Sequence, residues 1–180
     1  MILTLVRHAQ VIEEYQGRYN GHLDIELSVN GKLQAKKVAK KLQNIEFDKV
    51  YCSDLIRCRQ TLSAFNLQTN IIYTHRLREK SWGRHEGKSF EEIEAQGIKY
   101  ENFQQWINAL DGENTQEYIS KLKEYFNETI FKEDSNNILI VTHSGVIKTL
   151  LHLTENILLE EAFATILPYS SYITLDTMSL

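Results

Sequence analysis

Cysteine and proline are nearly missing from this sequence, with two of the first (Cys52, Cys58) and one of the second (Pro168) among 180 residues. Two cysteines with no CxxC spacing and no histidine at zinc-finger distance exclude a disulfide framework. Both read as reduced, partly buried small residues, a reactive thiol at Cys52 being the lesser alternative. Long apolar runs are absent too. Met1 leads straight into a short strand-like run, with no basic n-region and no small-residue cleavage site, so neither a signal peptide nor a membrane span is expected and the address is cytoplasmic. Charge of one sign is not in excess: the formal net charge is -4, which implies no broad footprint for nucleic acid. Repeats, low-complexity tracts and linkers are not found.

What remains is the balance of an ordinary globular protein, 42% hydrophobic and 24% charged, in a length that suits one domain over 1–180. Strand-like runs fall at Ile2–Val6, Asp48–Cys52, Asn70–Thr74, Ile138–Thr142 and Tyr172–Asp176. Between Ser28 and Leu42 the residues Leu33, Ala35, Val38, Ala39 and Leu42 share one stripe, and five lysines cover the rest as a solvated face. A second helix is read over Asp54–Phe65 with Asp54 near its N-cap. Ser89 and Glu92 have capping-box spacing, and helices are expected over Ser89–Gln96, Tyr100–Leu110 and Thr115–Phe131. Because no strand interrupts these three, they predict a cap, about 89–131. Strands alternating with helices predict a three-layer α/β/α sandwich with a mostly parallel sheet and a small helical cap. In such sheets ligands bind beyond the carboxyl ends of the strands.

Three chemically loaded segments end there. Leu5-Val6-Arg7-His8 closes the first strand with a permanently charged guanidinium beside an imidazole that is a nucleophile near neutral pH. Ser53-Asp54-Leu55-Ile56-Arg57 follows the second strand, and Val141-Thr142-His143-Ser144-Gly145 the fourth. Each has a bland reading. Arg57 could pair with Asp54 at i, i+3. Glu79 sits among Arg76, Arg78, Lys80 and Arg84 and could belong to a solvated charge run. His143 could be a hydrogen-bonded core histidine, although Ser144-Gly145 opening a helix suits an anion better. His22, His75, His85 and His152 are scattered and carry no assignment.

The ordered set of segments resembles the histidine phosphatase superfamily, which includes the cofactor-dependent phosphoglycerate mutases. Leu5-Val6-Arg7-His8-Ala9-Gln10 is similar to its opening motif. Arg18-Tyr19-Asn20-Gly21-His22-Leu23-Asp24 is similar to its R-x-x-G-x-x-D loop, and Leu27 through Ala35 to its next helix start. Val50 through Thr61 resembles the segment of the second arginine, Leu77-Arg78-Glu79 with Trp82 through Gly87 the acid-bearing segment, and Ile140 through Val146 that of the second histidine. The resemblance implies a phosphoglycerate mutase-like fold, His8 as phosphoryl acceptor, Arg7 and Arg57 as phosphate clamps, His143 as a donor to the phosphoryl oxygens and Glu79 as general acid. It also implies phosphate or substrate contacts from Arg18, Asn20, Gly21 and Ser144. No cofactor and no metal are expected, since arginines beside the histidines repel a cation.

Chemistry agrees with these roles. The imidazole must be neutral to attack, which nearby guanidinium charges favour. Fixed guanidinium and imidazole donors stabilise charge spread over the equatorial oxygens. Glu79 must be protonated to hand a proton to the leaving oxygen. The short chain without a paired-arginine segment points to hydrolysis of a small-molecule phosphate monoester rather than to a mutase. Loops at Gly17–His22, Phe47–Ser53 and Gly112–Asn114 resemble alpha-ribazole-phosphate phosphatases. A phosphoglycerate mutase, a phosphohistidine protein phosphatase and a non-catalytic phosphate-binding relative are the alternatives. No nucleic acid or membrane partner is expected, and the chain is read as a monomer or homodimer. Ala9, Gln10 and Glu14 depart from the commoner family residues, Glu14 adding an anionic group near a site for anions.

Overall fold

The computed structural model describes residues 1–177, so the last three residues of the expected 1–180 span lie outside the described residues. Five strands form one sheet: β1 (Ile2–Arg7), β2 (Lys49–Ser53), β3 (Ile71–Thr74), β4 (Asn137–Thr142) and β5 (Tyr172–Asp176). Their order is β3-β2-β4-β1-β5. All neighbours are parallel except β1 and β5, which run antiparallel. Parallel neighbours need long crossovers, and these carry the helices α1 (Val29–Lys41), α2 (Ile56–Leu62), α3 (Phe90–Glu94), α4 (Phe103–Ala109) and α5 (Thr115–Glu128). Helices α6 (Ser144–Thr154) and α7 (Leu159–Ala164) link β4 to β5.

The strands β1, β2 and β4 are apolar on both faces because both faces are covered. Leu3, Leu5, Tyr51, Ile138 and Ile140 meet α5 and α6 through Tyr118, Leu122, Phe126, Val146 and Leu150. The alternate residues Val6, Val50, Cys52, Leu139 and Val141 meet α1 and α2 through Val38, Cys58 and Leu62. Both cysteines are free and buried. Ser28 caps α1, its side chain accepting from the Gly31 amide at 2.9 Å. Gly31 lets the helix press on the chain after β1, since a Cβ there would stand 2.0 Å from the Gln10 carbonyl oxygen. Leu33, expected on the buried stripe, is instead 53% exposed. The docking face of α1 is built from Gly31, Ala35, Val38 and Ala39, small residues that allow close approach.

A separate apolar cluster joins Trp82, Ile93, Trp106, Ile107 and Leu110 with Tyr19, Phe90, Tyr100, Phe103 and Phe163. This is the cap, and it includes α3 and α4. The capping box at Ser89 and Glu92 is formed. Helix α5 is not part of the cap as expected, because its apolar stripe packs in the core with β1 and β4. Among the described residues, no helix is long and apolar enough to cross a membrane.

Candidate active site

The pairing of β1 with β4 sets Arg7 opposite Thr142, so the residues that follow, His8 and His143, meet at the carboxyl edge of the sheet. Their rings are 5.2 Å apart, edge to face. His8 Nδ1 lies 2.8 Å from the Ala9 carbonyl oxygen. A carbonyl only accepts, so Nδ1 carries the proton and Nε2 keeps the lone pair. His8 lines a cavity of about 330 Å³. Burial, and then the charges of Arg57 and Arg7, hold its pKa well below the usual 6.5. His143 is fully buried, with Nε2 2.8 Å from Ser53 Oγ and 3.4 Å from Cys58 Sγ. Burial, Arg57 and its neighbour His8 depress its pKa as well. It backs His8 from the interior, while Ser144 and Gly145 form the adjoining cavity wall.

Arg7 and Arg57 flank the nucleophile candidate. Arg57 is 1% exposed and donates from Nη1 to the Leu23 carbonyl at 2.6 Å and from Nη2 to the Gly21 carbonyl at 2.7 Å. It does not pair with Asp54, whose carboxylate is held by Arg78 through bonds of 2.7 and 2.6 Å. Arg7 donates to the Leu167 carbonyl and lies over the Tyr169 ring, 4.2 Å from its centre. Nε of each guanidinium is buried with no hydrogen-bond partner. A buried and a half-buried guanidinium with donors in reserve form a receptor for a tetrahedral anion.

Glu79 enters from the other side. Its Oε2 accepts the Gly145 amide at 3.0 Å and its Oε1 the Lys80 amide at 3.1 Å. Any Cβ at position 145 would stand 1.9 Å from Glu79 Oε1, so glycine is required for the carboxylate to rest on the start of α6. Glu79 is therefore oriented by backbone in the cavity wall, rather than lost in a solvated charge run. Trp82, Phe103, Trp106 and Phe163 line the outer part of the same cavity. The arrangement places a neutral imidazole, two fixed cations and a carboxyl group around one space, the set needed to move a phosphoryl group between oxygen and nitrogen.

A model of the histidine phosphatase superfamily (branch 1) matches residues 3–179. The chain belongs to that superfamily. The putative phosphoserine phosphatase 2 of Hydrogenobacter thermophilus is 31% identical over 166 residues, which cover 88% of this chain and 80% of the relative. The adenosylcobalamin/alpha-ribazole phosphatase of Salmonella typhimurium is 30% identical over 161 residues, 84% of this chain and 78% of the relative. Among solved structures, the alpha-ribazole phosphatase from Shigella flexneri superposes with a TM-score of 0.84 at 25% identity, covering 98% of this chain and 90% of the other. The chain is a phosphatase of this superfamily.

In this histidine phosphatase the remaining expected residues all reach the cavity wall. Arg18 is already engaged, donating to the Gly87 carbonyl at 2.9 Å and pairing with Glu92. Asn20 donates to the Tyr15 carbonyl at 2.7 Å and keeps a buried, unpartnered Oδ1. Gly21 has a φ of +46°, and a Cβ there would meet Glu86 Oε1 at 2.4 Å. Glu14 is exposed and is not among the cavity's lining residues. Sequence reading missed Lys148 and Tyr169, which also line the cavity. Lys148 Nζ donates to the Phe163 carbonyl at 2.7 Å, and burial lowers its pKa. Its position four residues after Ser144, on the same helix face, was the available signal. Nothing local marks Tyr169. Among the described residues, no cluster of three or more His, Cys, Asp or Glu side chains is arranged as metal ligands.

Proposed function

We propose that this phosphatase hydrolyses small-molecule phosphate monoesters through a phosphohistidine on His8, with alpha-ribazole 5′-phosphate as the specific candidate substrate. The observation that carries the reading is the bond from His8 Nδ1 to the Ala9 carbonyl. It fixes the tautomer, so that the nitrogen left to attack is Nε2, on a ring held neutral beside two guanidinium groups.

The reaction runs in two halves. His8 Nε2 forms a bond to phosphorus while the ester P–O bond breaks, and protonated Glu79 gives its proton to the leaving oxygen. Water then attacks the phosphohistidine, the P–N bond breaks, and the Glu79 carboxylate takes the proton released by the water. Arg7 and Arg57 bind the phosphoryl oxygens throughout, and His143 supports the same charge from behind His8. Each group is in place before substrate arrives, which avoids reorganisation at the moment of reaction. The aromatic end of the cavity suits an organic leaving group, and the names of the relatives in Salmonella and Shigella support the ribazole candidate.

Purified protein assayed against a panel of phosphate monoesters tests the reading, the panel to include alpha-ribazole 5′-phosphate, phosphoserine and phosphoglycerates. Release of inorganic phosphate, with an alkali-stable, acid-labile phosphoenzyme that disappears in His8→Ala, is the expected result. Label retained in that variant, or phosphoglycerate interconversion in place of phosphate release, overturns it.

A further inference from the structure

Glu79 borders two cavities. Besides the one containing His8, a second of about 290 Å³ opens on its far side, and the ring of Tyr118 from α5 stands in its wall. Tyr118 is 4% exposed, and its hydroxyl sits 3.4 Å from the Arg78 carbonyl oxygen, a long and weak bond for a buried hydroxyl. Tyr118 and Glu79 line this cavity together, and the hydroxyl, beside the carbonyl of the residue before Glu79, lies within electrostatic reach of the Glu79 carboxylate. Burial and the carboxylates of Glu79 and Glu113 push the phenol well above its ordinary range, so it keeps its proton. His22, Arg78 and Lys121 border the same space. Arg78 is spent on Asp54, Lys121 on Glu113, and His22 on the Glu79 carbonyl. Each of these three groups is thus engaged with a partner other than the Glu79 carboxylate.

A hydroxyl has one proton and can turn it either way. Resting on the proposed role of Glu79 as acid and base, we propose that Tyr118 is a positioning residue whose hydroxyl follows the protonation of Glu79. When Glu79 is protonated, the carboxyl donates to the phenol oxygen, and the phenol proton points to the Arg78 carbonyl. When Glu79 has lost its proton, the phenol turns and donates to the carboxylate. The Gly145 and Lys80 amides can only donate, whereas the Tyr118 hydroxyl can donate or accept as the Glu79 carboxyl group changes its protonation. It thereby keeps the carboxyl in one orientation through the two halves of the cycle.

Tyr118→Phe leaves the ring in the core and removes only this oxygen. With an alkyl phosphate, kcat is expected to fall on the order of tenfold at unchanged KM, the scale of one hydrogen bond to a charged group. The burst of p-nitrophenolate from p-nitrophenyl phosphate, which needs no acid, is expected to fall far less. In a Glu79→Gln background the same substitution is expected to add nothing. An equal loss in both backgrounds, or equal slowing of both substrates, assigns Tyr118 a purely structural part and overturns the inference. If Glu79→Gln itself spares the alkyl phosphate, the acid–base reading of Glu79 falls first and takes the inference with it. A leaving-group-dependent loss in Glu79→Gln with parental kinetics in Tyr118→Phe removes the inference alone.

Discussion

Two neutral imidazoles packed against each other beside two guanidinium groups give the site a signature in acid. The native pKa of His8 and of His143 lies well below the 6.5 of an unfolded chain. At pH 7 and above both states carry neutral rings and stability is intact. Below pH 6.5 the unfolded chain takes up protons that the folded site refuses, so unfolding is favoured, with a limiting slope of about 1.4 kcal/mol per pH unit for each ring until pH reaches the depressed native values. Urea denaturation at pH 7.5 and 5.5 is expected to show this loss, and replacing both histidines with glutamine is expected to flatten it. The guanidinium groups are expected to act on catalysis instead. Arg57→Ala is expected to cost about 3 kcal/mol of transition-state binding, the loss seen for one preorganised donor, read as a fall in kcat/KM. Arg57→Lys restores charge without the fork that reaches Gly21 and Leu23, and is expected to recover only part of it.

At the scale of elements, two glycines separate packing from chemistry. Gly31→Ala would drive a methyl into the Gln10 carbonyl and is expected to cost about 1–3 kcal/mol of stability, measured by denaturant midpoint, because α1 must back away from the chain after His8. Gly145→Ala meets the Glu79 carboxylate rather than backbone. Its expected result is a nearly parental midpoint with a loss of alkyl phosphatase activity, greater than the loss on p-nitrophenyl phosphate. These contacts also explain where sequence reading of elements succeeded and failed. All five strands were legible, because three are buried on both faces and the chemistry-bearing residues stand where apolar runs stop. Leu33 was misplaced because the buried face of α1 is led by Gly31, which carries no hydrophobic signal. Asp54 reads as a partner for Arg57 until the Leu77–Glu79 segment folds back and delivers Arg78 to it, a contact 24 residues away in sequence.

For the whole molecule, the hardest feature to read was which helices belong to which layer. Helices α3, α4 and α5 follow one another with no strand between them, yet Tyr118, Leu122 and Phe126 of α5 pack on the sheet while Trp106 and Ile107 of α4 build the cap. An amphipathic stripe states that a partner exists and is silent on which one. Trp82, Phe103 and Trp106 serve both as the cap's core and as cavity wall. Arg7, His8 and His143 could be placed together from sequence because they stand where strands end, whereas Tyr118 reaches this region from α5 and Lys148 from mid-helix. Since histidine and arginine here occupy the places where a metal would otherwise bind phosphate, activity is expected to persist in excess chelator. Vanadate is expected to inhibit by adopting the trigonal geometry of the transferring phosphoryl group. Loss on chelation with recovery on adding zinc or manganese would reverse that expectation.

The position of β1 between β4 and β5 bears on how the protein is made. The candidate nucleophile His8 is made well before its surroundings, because its strand pairs with β4, which begins at Asn137, and with β5, which begins at Tyr172. Pairings so distant in sequence form late and slowly. Until residue 143 has been added there is no second histidine behind His8, and until Leu167 and Tyr169 follow, Arg7 has neither its carbonyl nor its ring. A nascent chain therefore carries the His8 imidazole without this setting until residues 143–169 have been added. The proposed phosphoryl-transfer site is thus assembled only with the segment from β4 to Tyr169, long after His8 itself has been made.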